Sequence, residues 1–180
     1  SDFVTTYPDA ATLYRKIGKR LGLDVAQIYL SSGSDGGIKS VFEAYVEPDD
    51  QVLVISPTYA MYYVYVEMFQ ADLQEICFDP GFVLPVERVL DKIGPRTKLI
   101  CIPNPNSPTG TVFLQEELAQ ILRKAEDNDA LFLVDEAYHE YYGETVLDLL
   151  GESKHLLVTR TFSKAFGLAS ARLGFAVSCA

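Results

Sequence analysis

The segment that decides the fold covers residues 97–136 and reads TKLICIPNPNSPTGTVFLQEELAQILRKAEDNDALFLVDE. It begins with an apolar run typical of a buried strand, and a loop rich in Asn, Pro, Thr and Gly follows. Residues 114–128 carry apolar and charged side chains at helical spacing, which predicts a strongly amphipathic helix. Residues 130–136 are again strand-like and end in two acids. A strand, a helix and a second strand in this order form the repeating unit of a parallel α/β sheet.

The same alternation continues on both sides of this segment. Apolar runs predict strands over residues 27–30, 51–56, 72–78, 97–103, 130–136, 154–160 and 173–178. Helical patterns predict helices over residues 10–23, 38–46, 57–71, 85–93 and 114–128. Because strands alternate with helices about once every 25 to 30 residues, the sequence predicts a three-layer α/β/α sandwich around a mostly parallel sheet of about seven strands.

Composition and charge narrow the classes of function. A net charge of −10 over 180 residues argues against nucleic acid and anionic membranes as partners, because both require clustered Lys and Arg. No apolar run is long enough to predict a membrane span, and the N-terminus lacks the pattern of a signal peptide. Three scattered cysteines without a CxxC pair, together with two distant histidines, predict a reducing cytoplasmic setting and no metal site.

Polar motifs follow the predicted strands at the point where each strand ends. They cover residues 32–37, 56–59, 104–110, 135–138 and 161–164. In parallel α/β sheets, ligands bind outside the carboxyl ends of the strands, so these motifs are expected to meet at one edge of the sheet. The sequence therefore predicts a single ligand site assembled from several loops.

Known phosphate-binding motifs help to decide which class of ligand the site binds. The chain contains neither G-x-G-x-x-G nor G-x-x-x-x-G-K-[ST], so the Asp-Glu pair after the apolar strand does not by itself indicate a P-loop ATPase. A third kind of phosphate-binding site is a Gly/Ser turn before a helix, as in residues 33–37. Free N–H groups of such a turn can bind a phosphate monoester. A plain helix N-cap is the simpler interpretation of that turn.

Five motifs in a fixed order resemble one enzyme family. They are SSGSDGGI at 31–38, SPTYAMY at 56–62, NPNSPTGT at 104–111, LFLVDEAYHEY at 131–141 and RTFSKAFGLASARLGF at 160–175. Together they resemble the fold-type I pyridoxal-phosphate enzymes, most closely the histidinol-phosphate aminotransferases. The resemblance implies pyridoxal 5'-phosphate as cofactor and residues 1–180 as the large cofactor-binding domain. It also implies a fragment that lacks the family's N-terminal arm and C-terminal small domain.

Three residues match the family's catalytic positions. Lys164 matches the lysine that forms a Schiff base with the cofactor aldehyde, which requires a primary amine. Asp135 matches the carboxylate that pairs with the pyridine nitrogen, and Tyr138 matches the phenol that bonds the 3-oxygen. Taken singly, each residue also has an ordinary interpretation: a solvated loop lysine, a capping aspartate and a packing tyrosine.

Further residues match cofactor-binding positions, and these are Ser34, Asp35, Tyr59, Thr161, Ser163, Arg172 and Tyr7. The resemblance implies that Arg172, Thr161 and Ser163 bind the phosphate, with backbone N–H groups of Ser34 and Asp35 completing the cup. Tyr59 would stack on the pyridine ring. Tyr7 would reach the phosphate bound by a neighbouring subunit, which implies a homodimer with shared sites.

One position departs from the family pattern. The family carries an asparagine directly before PTG that bonds the cofactor's 3-oxygen, whereas this chain has Ser107 there and Asn106 one place earlier. Either the serine hydroxyl substitutes or Asn106 turns inward, and the sequence leaves both open.

The resemblance predicts transfer of an amino group between an amine such as histidinol phosphate and a 2-oxo acid such as 2-oxoglutarate. As a fragment, the isolated chain is expected to transaminate poorly or not at all. Two alternatives remain at this stage: a decarboxylase of the threonine-phosphate type on the same cofactor platform, and a non-catalytic binding module. The presence of both Lys164 and Asp135 argues against the binding module, which has no chemical need for them.

Overall fold

A computed structural model describes residues 7–84 and 86–179. Within that part the chain forms one seven-stranded sheet in the spatial order β1-β7-β6-β5-β4-β2-β3. The strands are β1 (Ile28–Ser31), β2 (Gln51–Ser56), β3 (Asp72–Cys77), β4 (Thr97–Pro103), β5 (Leu131–Asp135), β6 (Leu156–Thr161) and β7 (Gly174–Ser178). Strands β2 to β6 pair in parallel, while β7 pairs antiparallel with both β1 and β6. The predicted mostly parallel sheet of about seven strands is confirmed.

Helices cover both faces of this sheet. They are α1 (Ala11–Leu21), α2 (Gly33–Tyr45), α3 (Met61–Met68), α4 (Val86–Lys92), α5 (Gln115–Asp127) and a single turn, α6 (His139–Tyr142). Successive strand residues point to opposite faces, so the strands contribute to two separate cores. Leu53 and Ile55 of β2 lie in the core under α1, α4 and α5, whereas Val52 and Val54 lie in the core under α2 and α3. The three-layer sandwich is thus confirmed.

The element boundaries follow the predictions closely, except at two helices. Strand β4 has the predicted bounds, and α5 is one residue shorter at each end. Helix α2 begins at Gly33 rather than at residue 38, because the Gly/Ser turn forms its first turn. Helix α3 covers only Met61–Met68 within the predicted range 57–71. Its last turn stops before Gln70, which has a positive φ of 57° that a helix cannot continue.

The strand order creates a crevice at one end of the sheet. Beyond β2 the chain adds β3 on one side, and from β4 onward it builds toward the other edge, so the direction of winding reverses between the neighbouring strands β2 and β4. Loops that leave neighbouring strands in opposite directions open a gap at their carboxyl ends, and ligands bind there. No helix in the described part of the chain is long and apolar enough to cross a membrane.

A close backbone contact fixes the start of α2 over this crevice. A Cβ atom added to Gly174 of β7 would lie 2.4 Å from the carbonyl carbon of Gly33 and 2.6 Å from the amide nitrogen of Ser34. Only a glycine therefore lets β7 pass so near the first turn of α2. The contact positions the N–H groups of that turn beside the ends of β5 and β6.

Candidate functional site

A cleft of about 210 Å³ lies at the carboxyl ends of the parallel strands and at the start of α2. Its wall is formed by residues from five separate stretches of chain, which the fold brings together. They are Gly33, Ser34, Asp35, Tyr59, Pro103, Ser107, Asp135, Ala137, Tyr138, Thr161, Ser163, Lys164 and Arg172. Both sides of the cleft carry charged groups, so the site is suited to a polar ligand rather than to an apolar one.

Asp135, the last residue of β5, is a buried carboxylate at the floor of the cleft. Its Oδ1 accepts a hydrogen bond of 2.8 Å from the hydroxyl of Thr159 on the neighbouring strand β6. Burial raises the pKa of Asp135 to about 6, although hydrogen bonds from Thr159, the Ala137 N–H and Ser34 act to lower it. A carboxylate in these surroundings gains most from a positively charged N–H partner, because a counter-charge offsets the cost of burial.

The first turn of α2 forms one wall of the cleft. Together with Arg172, its residues Gly33, Ser34 and Asp35 form a site suited to an anion, called the anion cup below. Ser32 makes no side-chain capping bond, so the first N–H groups of the helix have no partner inside the helix. The Arg172 guanidinium closes over this turn, since its Nη2 donates to the Ser32 carbonyl at 3.2 Å and lies 3.0 Å from where a Cβ on Gly33 would be. Free N–H groups and a guanidinium together favour an anion such as a phosphate.

The side chain of Ser163 indicates that a ligand with an oxygen atom fits the cleft at this point. Its hydroxyl oxygen is buried at the cleft and has no hydrogen-bond partner among the described residues. An unpaired buried hydroxyl is costly, so a ligand oxygen at this point would satisfy it. The backbone N–H of Ser163 donates to the Thr161 hydroxyl at 3.1 Å, and both residues line the cleft.

Lys164 also lines the cleft. Its Nζ lies 5.1 Å from the centroid of the Tyr138 ring, and no acidic group of the described residues forms a salt bridge with it. The loop that carries Lys164 closes on itself, because the Gly167 N–H donates to the Lys164 carbonyl and the Leu168 N–H to the Phe162 carbonyl, both at 3.0 Å. The amine is thus held at the cleft without a competing carboxylate.

Comparison with known proteins decides the family. The family model for aminotransferase class I and II matches residues 3–180. This chain belongs to the class I and II aminotransferase family. As a member of that family, it resembles the histidinol-phosphate aminotransferase of Dehalococcoides mccartyi, to which it is 36% identical over 171 residues, covering 94% of this chain and 47% of the relative. The chain therefore spans about half the length of the curated relatives it matches.

Solved structures of an aminotransferase and of a decarboxylase share the fold. The histidinol-phosphate aminotransferase of Sinorhizobium meliloti, crystallised with pyridoxal-5'-phosphate, matches with a TM-score of 0.88 at 25% identity, covering 97% of this chain and 48% of that chain. The L-threonine-O-3-phosphate decarboxylase of Porphyromonas gingivalis matches with a TM-score of 0.78 at 22% identity, covering 95% of this chain and 52% of that chain. The second likeness concerns the fold alone, so the fold does not separate transamination from decarboxylation.

The residues expected from the sequence fall into two groups in this aminotransferase-family chain. Those that line the cleft are Ser34, Asp35, Tyr59, Ser107, Asp135, Tyr138, Thr161, Ser163, Lys164 and Arg172. Asn106 and Tyr7 do not line it. Tyr7 is fully exposed on the surface. No cluster of potential metal ligands occurs among the described residues.

Asn106 and Ser107 differ in their surroundings. The Asn106 side chain is buried and binds three groups: it donates to the Pro57 carbonyl at 2.9 Å and to the Thr109 hydroxyl at 2.8 Å, and it accepts from the Thr58 hydroxyl at 2.7 Å. These bonds hold the loop after β4 against the loop after β2. Ser107 instead faces the cleft.

Three further residues shape the site without any prediction from the sequence. Thr159 holds Asp135, Gly174 supports the anion cup, and Tyr65 binds Asp35 from within the core. Thr159 carries a signal, because it is a polar residue that directly follows the apolar run 156–158 of a buried strand. Gly174 and Tyr65 carried none, since their contacts involve residues far away in the sequence.

Proposed function

We propose that this chain is the cofactor-binding part of a pyridoxal-phosphate-dependent aminotransferase. One observation carries the proposal: a lysine amine, a buried carboxylate and an anion cup line a single cleft. Each of these groups matches a different part of the same cofactor, namely its aldehyde, its ring nitrogen and its phosphate. The histidinol-phosphate aminotransferases among the relatives support this choice over other chemistries.

The chain's own residues divide the work of holding the cofactor. Ser34 and Asp35 would offer backbone N–H groups to the phosphate, and Arg172, Thr161 and Ser163 would add a guanidinium and hydroxyls. A second group of residues would hold the ring. It consists of Asp135 at the ring nitrogen, Tyr138 and Ser107 beside the 3-oxygen, and Tyr59 on the ring face. Asn106 is not included, because its amide is already bound by neighbouring loops.

When bound, the cofactor supplies an electron-withdrawing ring that stabilises negative charge at the substrate Cα. Asp135 would hold the ring nitrogen in its protonated form, and this counter-charge would keep the carboxylate ionised at neutral pH. Lys164 Nζ would hold the cofactor covalently. Once released by the incoming amine, Lys164 would hold and move the proton at the substrate Cα as general base and acid.

The substrates and the assembly follow from the same proposal. The amino donor would be an amino acid or an amine such as histidinol phosphate, and the acceptor a 2-oxo acid. The functional unit would be a homodimer in which Tyr7, fully exposed on its own subunit, contributes to the partner's site. The three cysteines, all free in the structure, support a reducing cytoplasmic setting.

Covalent labelling tests the proposal directly. The protein is mixed with pyridoxal 5'-phosphate, its visible spectrum is recorded, and borohydride reduction is followed by peptide mass spectrometry. We expect a visible band and a stable mass increment at Lys164, and loss of both in Lys164→Ala. The control is Lys19→Ala, an exposed lysine in the last turn of α1, which should label like the wild type. Labelling spread over surface lysines, with none at Lys164, would contradict the proposal.

A further inference from the structure

The side chain of Asp35 binds two tyrosines although the residue lies in the anion cup. Asp35 is in the first turn of α2, where its backbone N–H is free. Its Oδ1 accepts hydrogen bonds from the hydroxyls of Tyr65 at 2.9 Å and Tyr59 at 3.3 Å. An acid beside an anion site repels the anion unless its charge is engaged elsewhere. The two phenols provide that engagement.

Tyr65 connects Asp35 to the core of the protein. It is 2% exposed, and its ring packs against Phe42 of α2 with centroids 5.7 Å apart. Burial and the hydrogen bond to Asp35 raise the pKa of Tyr65 above its ordinary value, so its hydroxyl keeps the proton that it donates. Asp35 is therefore held by a side chain that is itself packed in the core.

Tyr59 connects Asp35 to the cleft. Its ring lines the cleft and meets Tyr62 edge-on, with centroids 6.1 Å apart and planes at 87°. Burial, followed by the charge of Asp35, raises the pKa of Tyr59 to about 12, so this phenol also remains a donor at neutral pH. The ring is thus held by its T-shaped contact with Tyr62 and, at its hydroxyl, by Asp35.

We infer that Asp35 is a positioning residue whose carboxylate, anchored by Tyr65, fixes the ring of Tyr59 as one wall of the cleft. The inference rests on the proposed function, in which that wall faces the cofactor ring. It differs from the simpler role of an acid that stabilises the N-terminus of a helix through the helix dipole. A helix-dipole role requires the negative charge but neither phenol, whereas the positioning role requires an oxygen acceptor and both phenols.

Binding of pyridoxamine 5'-phosphate, measured by calorimetry, tests the inference. This ligand has the ring and the phosphate but no aldehyde, so its affinity does not depend on covalent attachment to Lys164. Tyr65→Phe should raise Kd about fivefold, the equivalent of one hydrogen bond of roughly 1 kcal/mol. Tyr59→Phe should do the same, and the double variant should be no worse than either single one. Tyr63→Phe, on the same helix but outside the cleft, is the matched control and should bind like the wild type.

Two substitutions of Asp35 distinguish the positioning role from the helix-dipole role. Asp35→Asn keeps an oxygen acceptor and should bind within about twofold of the wild type, whereas Asp35→Ala should match Tyr65→Phe. Thermal unfolding by circular dichroism confirms that each variant is folded before titration. A silent Tyr65→Phe, or Asn and Ala variants of Asp35 that lose affinity equally, would overturn the positioning role.

Failure of the positioning role of Asp35 can be distinguished from failure of the proposed function. Normal labelling at Lys164 with a silent Tyr65→Phe would overturn only the positioning role. Binding of pyridoxamine phosphate that responds to Tyr65→Phe, without any labelling at Lys164, would support the positioning role and overturn the covalent chemistry. A wild-type protein that neither binds nor labels would overturn both.

Discussion

The buried carboxylate of Asp135 lowers the stability of the ligand-free protein at neutral pH. The carboxylate is buried without a cationic partner among the described residues, and only hydrogen bonds from neutral groups compensate its charge. A buried carboxylate without a function would be replaced under selection for stability, because a neutral side chain fits the same space at lower cost. The residue is understandable only if a ligand supplies the missing positive charge.

Because burial of the ionised carboxylate costs stability, we predict that Asp135→Asn changes the stability of the ligand-free protein in a pH-dependent way. Burial raises the pKa of Asp135 from 3.8 to about 6, so between these values the folded state holds a proton that the unfolded state has released. The contribution of Asp135 to stability is therefore fully present at low pH and is lost as the pH rises through about 6. At pH 7.5, Asp135→Asn should be more stable than the wild type by about 1–3 kcal/mol, and the gain should vanish near pH 4.

Urea unfolding at both pH values measures the difference, and Asp91→Asn, at an exposed position of α4, provides a control that should show no such change. Stability curves of wild type and Asp135→Asn that run parallel with pH would show that the carboxylate is not strained by burial. The same variant should bind pyridoxamine phosphate more weakly, because it lacks the charge that pairs with the ring nitrogen.

Elements whose sequences carry their own signals could be predicted, and elements defined by distant contacts could not. Strand β4 and helix α5 were predicted within one residue, because burial and helical periodicity appear directly in their sequences. Helix α2 begins five residues before the position that its sequence predicts, since Gly and Ser favour turns locally. This turn becomes helical where β7 supports it through Gly174, a contact that spans 140 residues of sequence.

The same division holds for the site. Most cleft residues were found through motifs that lie together in the sequence, such as residues 161–164 after β6. Thr159, Tyr65 and Gly174 act through contacts between separate elements, and no motif contains both partners. Strand order likewise could not be predicted, because an alternation of strands and helices is compatible with many orders.

The contact between β7 and α2 predicts that Gly174→Ala damages both elements at once. The added methyl would lie 2.4–2.7 Å from three backbone atoms, those of Gly33, Ser34 and Arg160, and backbone cannot rotate away as a side chain can. We expect a loss of about 2–3 kcal/mol in the free energy of unfolding, together with weaker binding of phosphate-bearing ligands, because the cup is displaced. Gly151→Ala, which adds a methyl to open space, is the matched control. Wild-type stability and affinity in Gly174→Ala would show that the close approach is not required.

The cleft is open on the side that the loop of residues 164–172 presents to solvent. Every residue of that loop is exposed, including Phe166 and Leu168, whose apolar side chains are about half exposed. The cleft beside it contains both the lysine amine and the guanidinium of Arg172. Exposed apolar groups next to a charged ligand site are typical of a surface that another protein surface covers.

A homodimer would explain this surface, and Tyr7 provides its test. Because Tyr7 does not line the cleft of its own chain, a contribution to ligand binding has to come from a second subunit. If dimerisation completes the site, ligand binding and association are linked, and the affinity for pyridoxamine phosphate should rise with protein concentration over the range in which dimers form. Tyr7→Phe should bind about fivefold more weakly at high concentration and be unchanged at low concentration, since only the dimer uses the hydroxyl.

Calorimetry at several protein concentrations measures the affinity, and sedimentation measures the association of subunits. Tyr29→Phe, on an exposed edge strand away from the cleft, is the control. An equal loss at every concentration would show that Tyr7 acts within its own chain, and no loss at any concentration would remove it from the site.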